Sequence, residues 1–314
     1  MSNILKILYD TSGVYKYNDI LEPFGFGADN EIRVEKKSLL TISPGNIEGI
    51  RLIQDYPDYY KMFFLPEEPN GFFAPHVYNA IYQLEDKYDL IFTICKYTKE
   101  WREKYFNTDI NKRMYVPFAF TEKYTYPNQE KIIPVYFTGH NRTSTILPYI
   151  FNAVRKFNGT IVDASQYKAV NAIEKMKLNG QSKISITYNL LFLMQQHVSS
   201  VMSLPNWKDN EAFKNLDSLL VPQMKTRLFE AAFSKSIILH KWDEWNVIED
   251  WYTPNEDFIY FDDEKDLLEK INEILKNYDG YKYIAENAYN KAINNYTSKH
   301  FIDRYILPNT KLEV

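Results

Sequence analysis

Two basic side chains in the segment 221–240 are spaced so that they could hold an anion. Pro222 suits the first turn of a helix, because the N–H that proline lacks would have no helical partner there. Apolar residues then recur at helical spacing, and the helix ends before residues 237–239, which predict a short buried strand. Lys225 and Arg227 lie in the first turns, beside the positive end of the helix dipole. The sequence therefore predicts a site for an anionic ligand such as a diphosphate.

A carboxylate follows these basic residues at helical spacing. Glu230 lies three residues after Arg227, so both side chains project from a similar face of the helix. One interpretation makes Glu230 part of the same binding site. The other is a surface ion pair with Arg227, worth a few tenths of a kcal/mol. Spacing alone leaves both open.

A second phosphate-binding element is predicted at residues 132–157. Residues 132–138 predict a strand that runs into Gly139, and residues 146–157 predict the helix that follows. Gly139 would permit close backbone approach to a phosphate, and Arg142 would lie at the rim. Together with the basic residues of the later helix, they predict a diphosphate clamp with two sides. The alternative is that Gly139 has no role in binding, because glycine is common at the end of a strand.

Candidates for a general base follow the predicted strand 61–65. Glu67 and Glu68 lie in a loop rich in proline and glycine, and His76 comes soon after it. A carboxylate whose pKa is raised in a closed site, or a histidine, could accept a proton from an acceptor hydroxyl. The alternative is a solvated acidic loop.

Further strands are predicted over residues 38–43, 89–95 and 183–188. Strand and helix patterns alternate along the chain, which predicts an α/β fold with parallel sheets and crossover helices. Two stretches interrupt this alternation: residues 190–197 predict a helix, and residues 207–220 predict an irregular stretch on the surface. His240 follows the predicted strand 237–239 and is expected to face the binding site. Further on, Asp262 or Asp263 is predicted to cap a helix.

The length of 314 residues predicts two domains. The polar segment 121–131 predicts the linker between them. We therefore expect an N-terminal domain over residues 1–125 and a C-terminal domain over residues 131–290. A terminal helix in residues 291–314 is expected to pack back on the first domain.

Composition limits the classes of partner. The net charge of −4 gives no reason to expect nucleic acid. The single cysteine, Cys95, cannot form an internal disulfide, which fits a reducing compartment such as the cytoplasm. The sequence lacks an apolar run long enough for a membrane span, a signal peptide pattern, a phosphate loop motif, a nucleophile elbow and a paired-cysteine metal motif. We therefore expect no metal and no cofactor.

The motif around Arg227 resembles that of a known enzyme family. Lys-x-Arg-x-Phe-Glu-Ala at residues 225–231, a small break and an apolar strand resemble the nucleotide-sugar motif of GT-B glycosyltransferases. The resemblance is closest to the group 1 type and its spore-maturation-protein-like branch, and it covers residues 219–304. Many relatives have a second glutamate eight residues before the helix glutamate, where this chain has Pro222.

The resemblance implies two Rossmann-like domains facing across a cleft, the GT-B arrangement. It implies transfer of a sugar from a nucleotide-diphosphate sugar to a hydroxyl of a glycan, lipid-linked or protein acceptor, without a metal. Gly139, Arg142, Lys225 and Arg227 would stabilise the departing diphosphate, and Glu230 would accept hydrogen bonds from the ribose. Lys241, after the strand that follows this helix, could contact the donor sugar or lie in a solvated loop.

Two other functions fit the same residues. One is a nucleotide- or sugar-binding protein without catalysis, because no catalytic base is identified among Glu67, Glu68 and His76. The other keeps the GT-B fold and makes the protein a sugar-nucleotide epimerase or a phosphorylase.

Overall fold

The structure is a computed structural model that describes residues 3–9, 31–42, 55–66, 68–69, 85–106, 109, 111–139, 145–163 and 172–311. We number strands and α-helices of these residues in chain order. The strands are β1 (Asn3–Ile4), β2 (Lys6–Tyr9), β3 (Arg33–Val34), β4 (Ser38–Ile42), β5 (Tyr60–Leu65), β6 (Leu90–Thr93), β7 (Arg113–Tyr115), β8 (Ile133–Gly139), β9 (Thr160–Asp163), β10 (Ser182–Thr187), β11 (Leu190–Phe192), β12 (Leu220–Pro222), β13 (Ile237–Lys241) and β14 (Ile259–Phe261). The helices are α1 (Lys96–Tyr105), α2 (Leu147–Lys156), α3 (Ala172–Gly180), α4 (Gln195–Met202), α5 (Thr226–Phe233), α6 (Glu264–Lys276), α7 (Tyr278–Asn295) and α8 (Ser298–Phe301).

The chain forms two compact α/β units, and neither is a single stretch of sequence. The first unit contains Met1–Pro117, Leu191–Gln223 and Phe301–Val314, and the second contains Phe118–Leu190 and Met224–His300. The sequence prediction assigned residues 191–223 to the second domain, whereas the structure joins them to the first unit.

The first unit is built on a parallel sheet of five strands in the order β2-β4-β5-β6-β7, so the described strands follow one another in chain order. All residues of β4 and β6 are buried. Continuous apolar strands of this kind are typical of parallel sheets that are covered on both faces. The predicted strands over 38–43, 61–65 and 89–95 therefore correspond to central strands.

Residues 191–223 contribute directly to the core of the first unit. Phe213 and Leu216, in two short 3₁₀ turns, pack in one buried cluster with Trp101 of α1 and Phe63 of β5. The prediction of an irregular surface stretch over 207–220 is therefore wrong as to its burial, because the apolar side chains of the turns all point inward.

The predicted helix over 190–197 is also wrong. The first residues of this range form β11, which pairs with β12, and the helix α4 begins only at Gln195. A short apolar run fits a buried strand and a buried helix equally well by periodicity. The helix starts where the Met194 N–H donates a hydrogen bond to Nδ1 of His197, at 3.1 Å.

The end of the chain also packs on the first unit. The ring of Phe301 lies 5.3 Å from that of Phe92 on β6 and 6.0 Å from that of Phe64 on β5. The Lys36 N–H donates to the carbonyl of Thr310, at 3.0 Å. Within residues 291–314, therefore, the part after His300 belongs to this unit.

The second unit has a doubly wound sheet in the order β14-β13-β10-β8-β9, with all pairs parallel. The chain starts at β8, moves to β9 on one side and then continues on the other side from β10. The strand order therefore reverses between β8 and β10. In open parallel sheets, the carboxyl ends of the strands at such a reversal form the ligand-binding crevice.

Helices cover this sheet in two groups, α2 with α6 and α3 with α5 and α7. The ammonium of Lys131 joins the ends of α3 and α5, because its Nζ lies 2.8 Å from the carbonyl oxygens of both Gly180 and Ser234. The predicted cap of α6 is confirmed for Asp263, whose carboxylate accepts the N–H of Asp266 at 2.9 Å. Among the described residues, no helix is long and apolar enough to cross a membrane.

The helix α5 begins later than the sequence predicts. Pro222 is the last residue of β12, and the helix starts at Thr226 with Lys225 as its N-cap. Proline fits both places, since its fixed φ suits an edge strand as well as a first helical turn. The predicted start at Pro222 is therefore wrong by four residues, whereas the end of the helix before Ser234 is confirmed.

Candidate functional site

The candidate site lies in the second unit, at the carboxyl ends of β8 and β10. Gly139 is the last residue of β8, and Tyr188 follows β10 directly. These two central strands are the ones between which the strand order reverses. The topology therefore places the predicted glycine where an α/β sheet of this kind binds its ligand.

Arg227, from the first turn of α5, reaches this same point. A Cβ added to Gly139 would lie 2.9 Å from Nη1 of Arg227. The guanidinium carbon lies 4.5 Å from the centroid of the Tyr188 ring and 5.5 Å from that of Phe137. A cation over an aromatic face is stabilised electrostatically, so both rings help to hold the guanidinium in place. Nη1 is buried and has no hydrogen-bond partner among the described residues.

Glu230 lies one turn further along α5 and is almost completely buried, with 3% of its surface exposed. Its Oε1 lies 2.5 Å from Nζ of Lys175 on α3. Its Oε2 is buried without a hydrogen-bond partner in the part of the chain that the structure describes. The carboxylate thus has a partner for one oxygen and none for the other. The alternative of a surface ion pair with Arg227 is wrong, because Glu230 is buried and pairs with Lys175.

The charges of Arg227 and Glu230 act on one common neighbour, Tyr136 of β8. Burial raises the pKa of Tyr136, the negative charge of Glu230 raises it further, and the positive charge of Arg227 lowers it. Both side chains therefore lie close to the same strand of the sheet.

Lys225 lies at the amino end of α5, where the helix dipole creates positive potential. Its own N–H donates to Oδ1 of Asn189, at 3.0 Å. Nδ2 of Asn189 is buried and lacks a partner among the described residues. The loop after β10 therefore fixes the start of the helix that carries Lys225 and Arg227.

Lys241 is the last residue of β13, the neighbour of β10 in the sheet. Its Nζ donates to the carbonyl oxygen of Trp242, at 2.6 Å. Partial burial lowers the pKa of Lys241, while Asp262, Asp243 and Asp263 act in the opposite direction. The Trp242 ring beside it is 45% exposed.

His240 is buried inside the sheet, which corrects the expectation that it faces the binding site. It belongs to β13, and its Nδ1 shares a hydrogen bond with Oγ1 of Thr187 on β10, at 2.7 Å. Burial lowers the pKa of His240 to about 3, with further lowering by the positive charges of Lys241 and Arg227. A neutral imidazole in this position links two strands beneath the site.

Glu68, one of the predicted base candidates, is held in a buried ionic network in the first unit. Nη1 of Arg113 lies 3.1 Å from Oε1 of Glu68, and Nε of Arg113 lies 2.6 Å from Oε1 of Glu85. Thr93 donates to the Glu68 carboxylate, and Arg102 donates to that of Glu85. Burial would raise the pKa of Glu85, but the two arginines hold it below its ordinary value. Glu68 is therefore engaged by partners, and the expectation of a solvated loop does not apply to it.

The structure brings together Gly139, Arg227 and Glu230, with Lys225 at the start of the same helix. The predicted site residues Glu67, His76 and Arg142 lie outside the described residues. Among the residues that are described, no group of three His, Cys, Asp or Glu side chains could hold a metal ion. Sequence reasoning missed Tyr188 and Lys175. The first was accessible in principle, since it ends the predicted strand 183–188, whereas nothing in the spacing pointed to the second.

Comparisons with known proteins agree with this fold. Residues 199–306, about a third of the chain, match the family profile described as "Glycosyl transferase-like". The matched segment includes Lys225, Arg227 and Glu230. No curated protein matches the chain by sequence.

Several solved structures share the fold at low sequence identity. A structure of Anabaena Alr3699/HepE in complex with UDP and glucose has a TM-score of 0.56 and 9% identity, covering 96% of this chain and 98% of that one. A glycosyltransferase from Rickettsia africae has a TM-score of 0.52 and 11% identity, covering 96% and 95%. A mutant of S. aureus TarM in a complex that includes UDP has a TM-score of 0.54 and 11% identity, covering 85% of this chain.

The chain spans about half the length of TarM, 54%. It covers almost all of the Rickettsia and Anabaena proteins. The protein thus has the two-domain Rossmann-like fold of GT-B glycosyltransferases.

Proposed function

We propose that the protein is a glycosyltransferase that uses a nucleotide-diphosphate sugar as donor. The observation that supports it best is the position of Arg227. Its guanidinium lies against Gly139 at the reversal of strand order, and its buried Nη1 has no partner among the described residues. A buried donor of this kind needs an acceptor, and a phosphate oxygen is an anionic acceptor of the right geometry.

The roles of the site residues follow from their positions. Arg227, Lys225 and the amino end of α5 would bind the diphosphate and stabilise the negative charge that develops as the sugar leaves. Gly139 lets the phosphate approach the backbone, and Arg142 adds a charge at the rim. Glu230 would accept a hydrogen bond from a ribose hydroxyl through Oε2. In this scheme, cationic groups supply the charge stabilisation without a metal.

The donor sugar would lie along the carboxyl ends of the strands, from β10 toward β13. Lys241 and the exposed ring of Trp242 lie at the carboxyl end of β13. We propose that Lys241 contacts the donor sugar. In this proposal, the acceptor hydroxyl belongs to a glycan, a lipid-linked acceptor or a protein. The enzyme is of the group 1 type, in its spore-maturation-protein-like branch, and it acts in a reducing compartment, the cytoplasm.

A nucleotide-binding protein without transfer activity is the second candidate. The observation that favours it is the buried pairing of Glu68 with Arg113, because both oxygens of this carboxylate are already engaged by Arg113 and Thr93. Glu67 or His76 would then have to supply the base in an active transferase. Turnover therefore separates the two candidates, whereas binding does not.

The test is a thermal-shift screen with UDP, GDP and ADP, followed by titration calorimetry and an assay of donor hydrolysis. Ligands that bind only the folded state raise its apparent stability. We expect one nucleoside diphosphate to bind, Arg227→Ala to weaken it by about tenfold or more, and the exposed Arg155→Ala on α2 to have no effect. Unchanged affinity in Arg227→Ala would overturn the proposed site. Binding without hydrolysis or transfer would favour the second candidate.

A further inference from the structure

The ion pair between Lys175 and Glu230 has a geometry that the proposed roles do not use. Nζ of Lys175 lies 2.5 Å from Oε1 of Glu230, and the two residues are 55 positions apart in the sequence. The lysine is one quarter exposed, whereas the carboxylate is almost completely buried. Burying a carboxylate is unfavourable unless it is paired, and Lys175 provides the partner of opposite charge for Glu230 in this buried position.

The pair also determines which carboxylate oxygen a ligand can reach. Oε1 is occupied by Lys175, while Oε2 has no partner among the described residues. A carboxylate with one oxygen held by a cation presents the other in a fixed direction. Without the lysine, the side chain could rotate about its terminal torsion, which is broad in glutamate.

We infer that Lys175 is a positioning residue that fixes Glu230 to select ribose over deoxyribose in the bound nucleotide. The inference rests on the proposed function, since it takes the ligand to be a nucleoside diphosphate. In the bound state, one ribose hydroxyl donates a hydrogen bond to Oε2. A ligand without that hydroxyl leaves Oε2 buried and unpaired, which is the arrangement that penalises the wrong ligand most strongly.

The experiment compares affinities for the nucleoside diphosphate that binds best with those for its 2′-deoxy and 3′-deoxy forms. We expect the wild-type protein to prefer the ribonucleotide over one deoxy form by about tenfold or more. Lys175→Met keeps the apolar stem of the side chain. In this variant the ratio of the two affinities should fall toward one, mainly because the ribonucleotide binds more weakly. Lys175→Arg should restore most of it, because the cation returns.

Control variants separate positioning of Glu230 by Lys175 from a general electrostatic effect on nucleotide affinity. Lys177→Met on the exposed side of the same helix should keep the preference unchanged. Glu230→Ala should abolish it, because no side-chain acceptor remains, and adding Lys175→Met to Glu230→Ala should have no further effect on the preference, since the lysine acts through the glutamate. Melting temperatures of all variants establish that each one folds.

The outcomes distinguish this inference from the proposed function. If the wild-type protein binds no nucleoside diphosphate, the proposed function fails. If it binds with a clear preference that Lys175→Met retains, only the role of Lys175 is refuted. Equal weakening of the ribo and deoxy forms in Lys175→Met would also refute it, because that result indicates a general electrostatic contribution. A wild-type preference near one would refute the role of Glu230 and leave the phosphate site at Arg227 standing.

Discussion

Replacement of Gly139 by alanine is the sharpest test of the site, because it adds a single methyl group where Arg227 lies. The added Cβ would lie 2.8 Å from Cζ of Phe137 and 2.9 Å from Nη1 of Arg227. Real Cβ contacts are longer, so one neighbour has to move. The backbone of Gly139 does not lie in the left-handed region, and alanine therefore meets no conformational penalty.

The side chain that moves is expected to be Arg227. Phe137 is fully buried, with the rings of Phe151 and Tyr188 at 5.8 and 6.1 Å, whereas the guanidinium is the far end of a flexible chain. Overpacking in a core costs about 1–3 kcal/mol, and a mobile neighbour keeps the value near the lower limit. Loss of a hydrogen bond to a charged group costs about 1.5–3 kcal/mol, or about 10- to 100-fold in Kd.

Gly139→Ala should therefore weaken binding of a nucleoside diphosphate by about 10- to 100-fold while lowering the free energy of unfolding by about 1 kcal/mol. Titration calorimetry and urea unfolding measure the two effects. Gly280→Ala in α7 is the matched control. The three atoms nearest to its Cβ all belong to the exposed side chain of Asn277, which can swing away, so affinity should not change.

The effect of Gly139→Ala must also depend on the arginine. In an Arg227→Ala background, the added methyl group should have no further effect on affinity, because the group that it displaces is gone. An affinity of Gly139→Ala within twofold of the wild-type value would refute the reasoning. So would a full additional loss in the double variant.

Three further predictions concern stability. His240, with a folded pKa of about 3 against an ordinary 6.5, stays neutral while the unfolded chain takes up a proton. The free energy of unfolding should thus fall by about 1.4 kcal/mol per pH unit from about pH 6 down to about pH 3. Urea unfolding of wild type and His240→Gln across this window measures it, and the same pH dependence in both proteins would contradict the prediction. Glu68→Gln should lower the free energy of unfolding by about 3–5 kcal/mol, because Arg113 loses a buried charged partner. The control Glu103→Gln, in a helical i,i+4 pair, should change it by less than about 0.5 kcal/mol. Unchanged stability of Glu68→Gln with lost turnover would instead identify Glu68 as a base. Lys131→Met removes the donor shared by the ends of α3 and α5 and should cost about 1–3 kcal/mol, and an unchanged urea midpoint would count against this.

The strands were predictable because local composition determines them. Apolar runs bounded by polar loops mark β4, β6, β8 and β13; the first two are fully buried in the structure and the other two are mostly buried. The capping of α6 was also predictable, since the side chain and the N–H that it accepts are three residues apart. The glycine at the end of β8 and the arginine of α5 were each visible as parts of a phosphate site.

The buried ion pairs could not be predicted from the sequence, because their partners are far apart in the chain. The pairing of Glu68 with Arg113 joins residues 45 positions apart, and that of Lys175 with Glu230 joins residues 55 apart. No periodicity carries such information. The start of α5 was missed for a different reason, because Pro222 is compatible with a strand end and with a helix start, and only the pairing of β12 with β11 decides between them.

The interleaving of the two units has a consequence for how the polypeptide reaches its native state. During synthesis, β8, β9 and β10 emerge before residues 191–223, which belong to the first unit. The first unit can bury the rings of Phe64 and Phe92 fully only after Phe301 has left the ribosome. Domains encoded in one stretch fold as they emerge. Here we expect the first unit to reach its final packing only after Phe301 has emerged, and a chain cut within residues 121–131 to give two fragments that each lack part of a core.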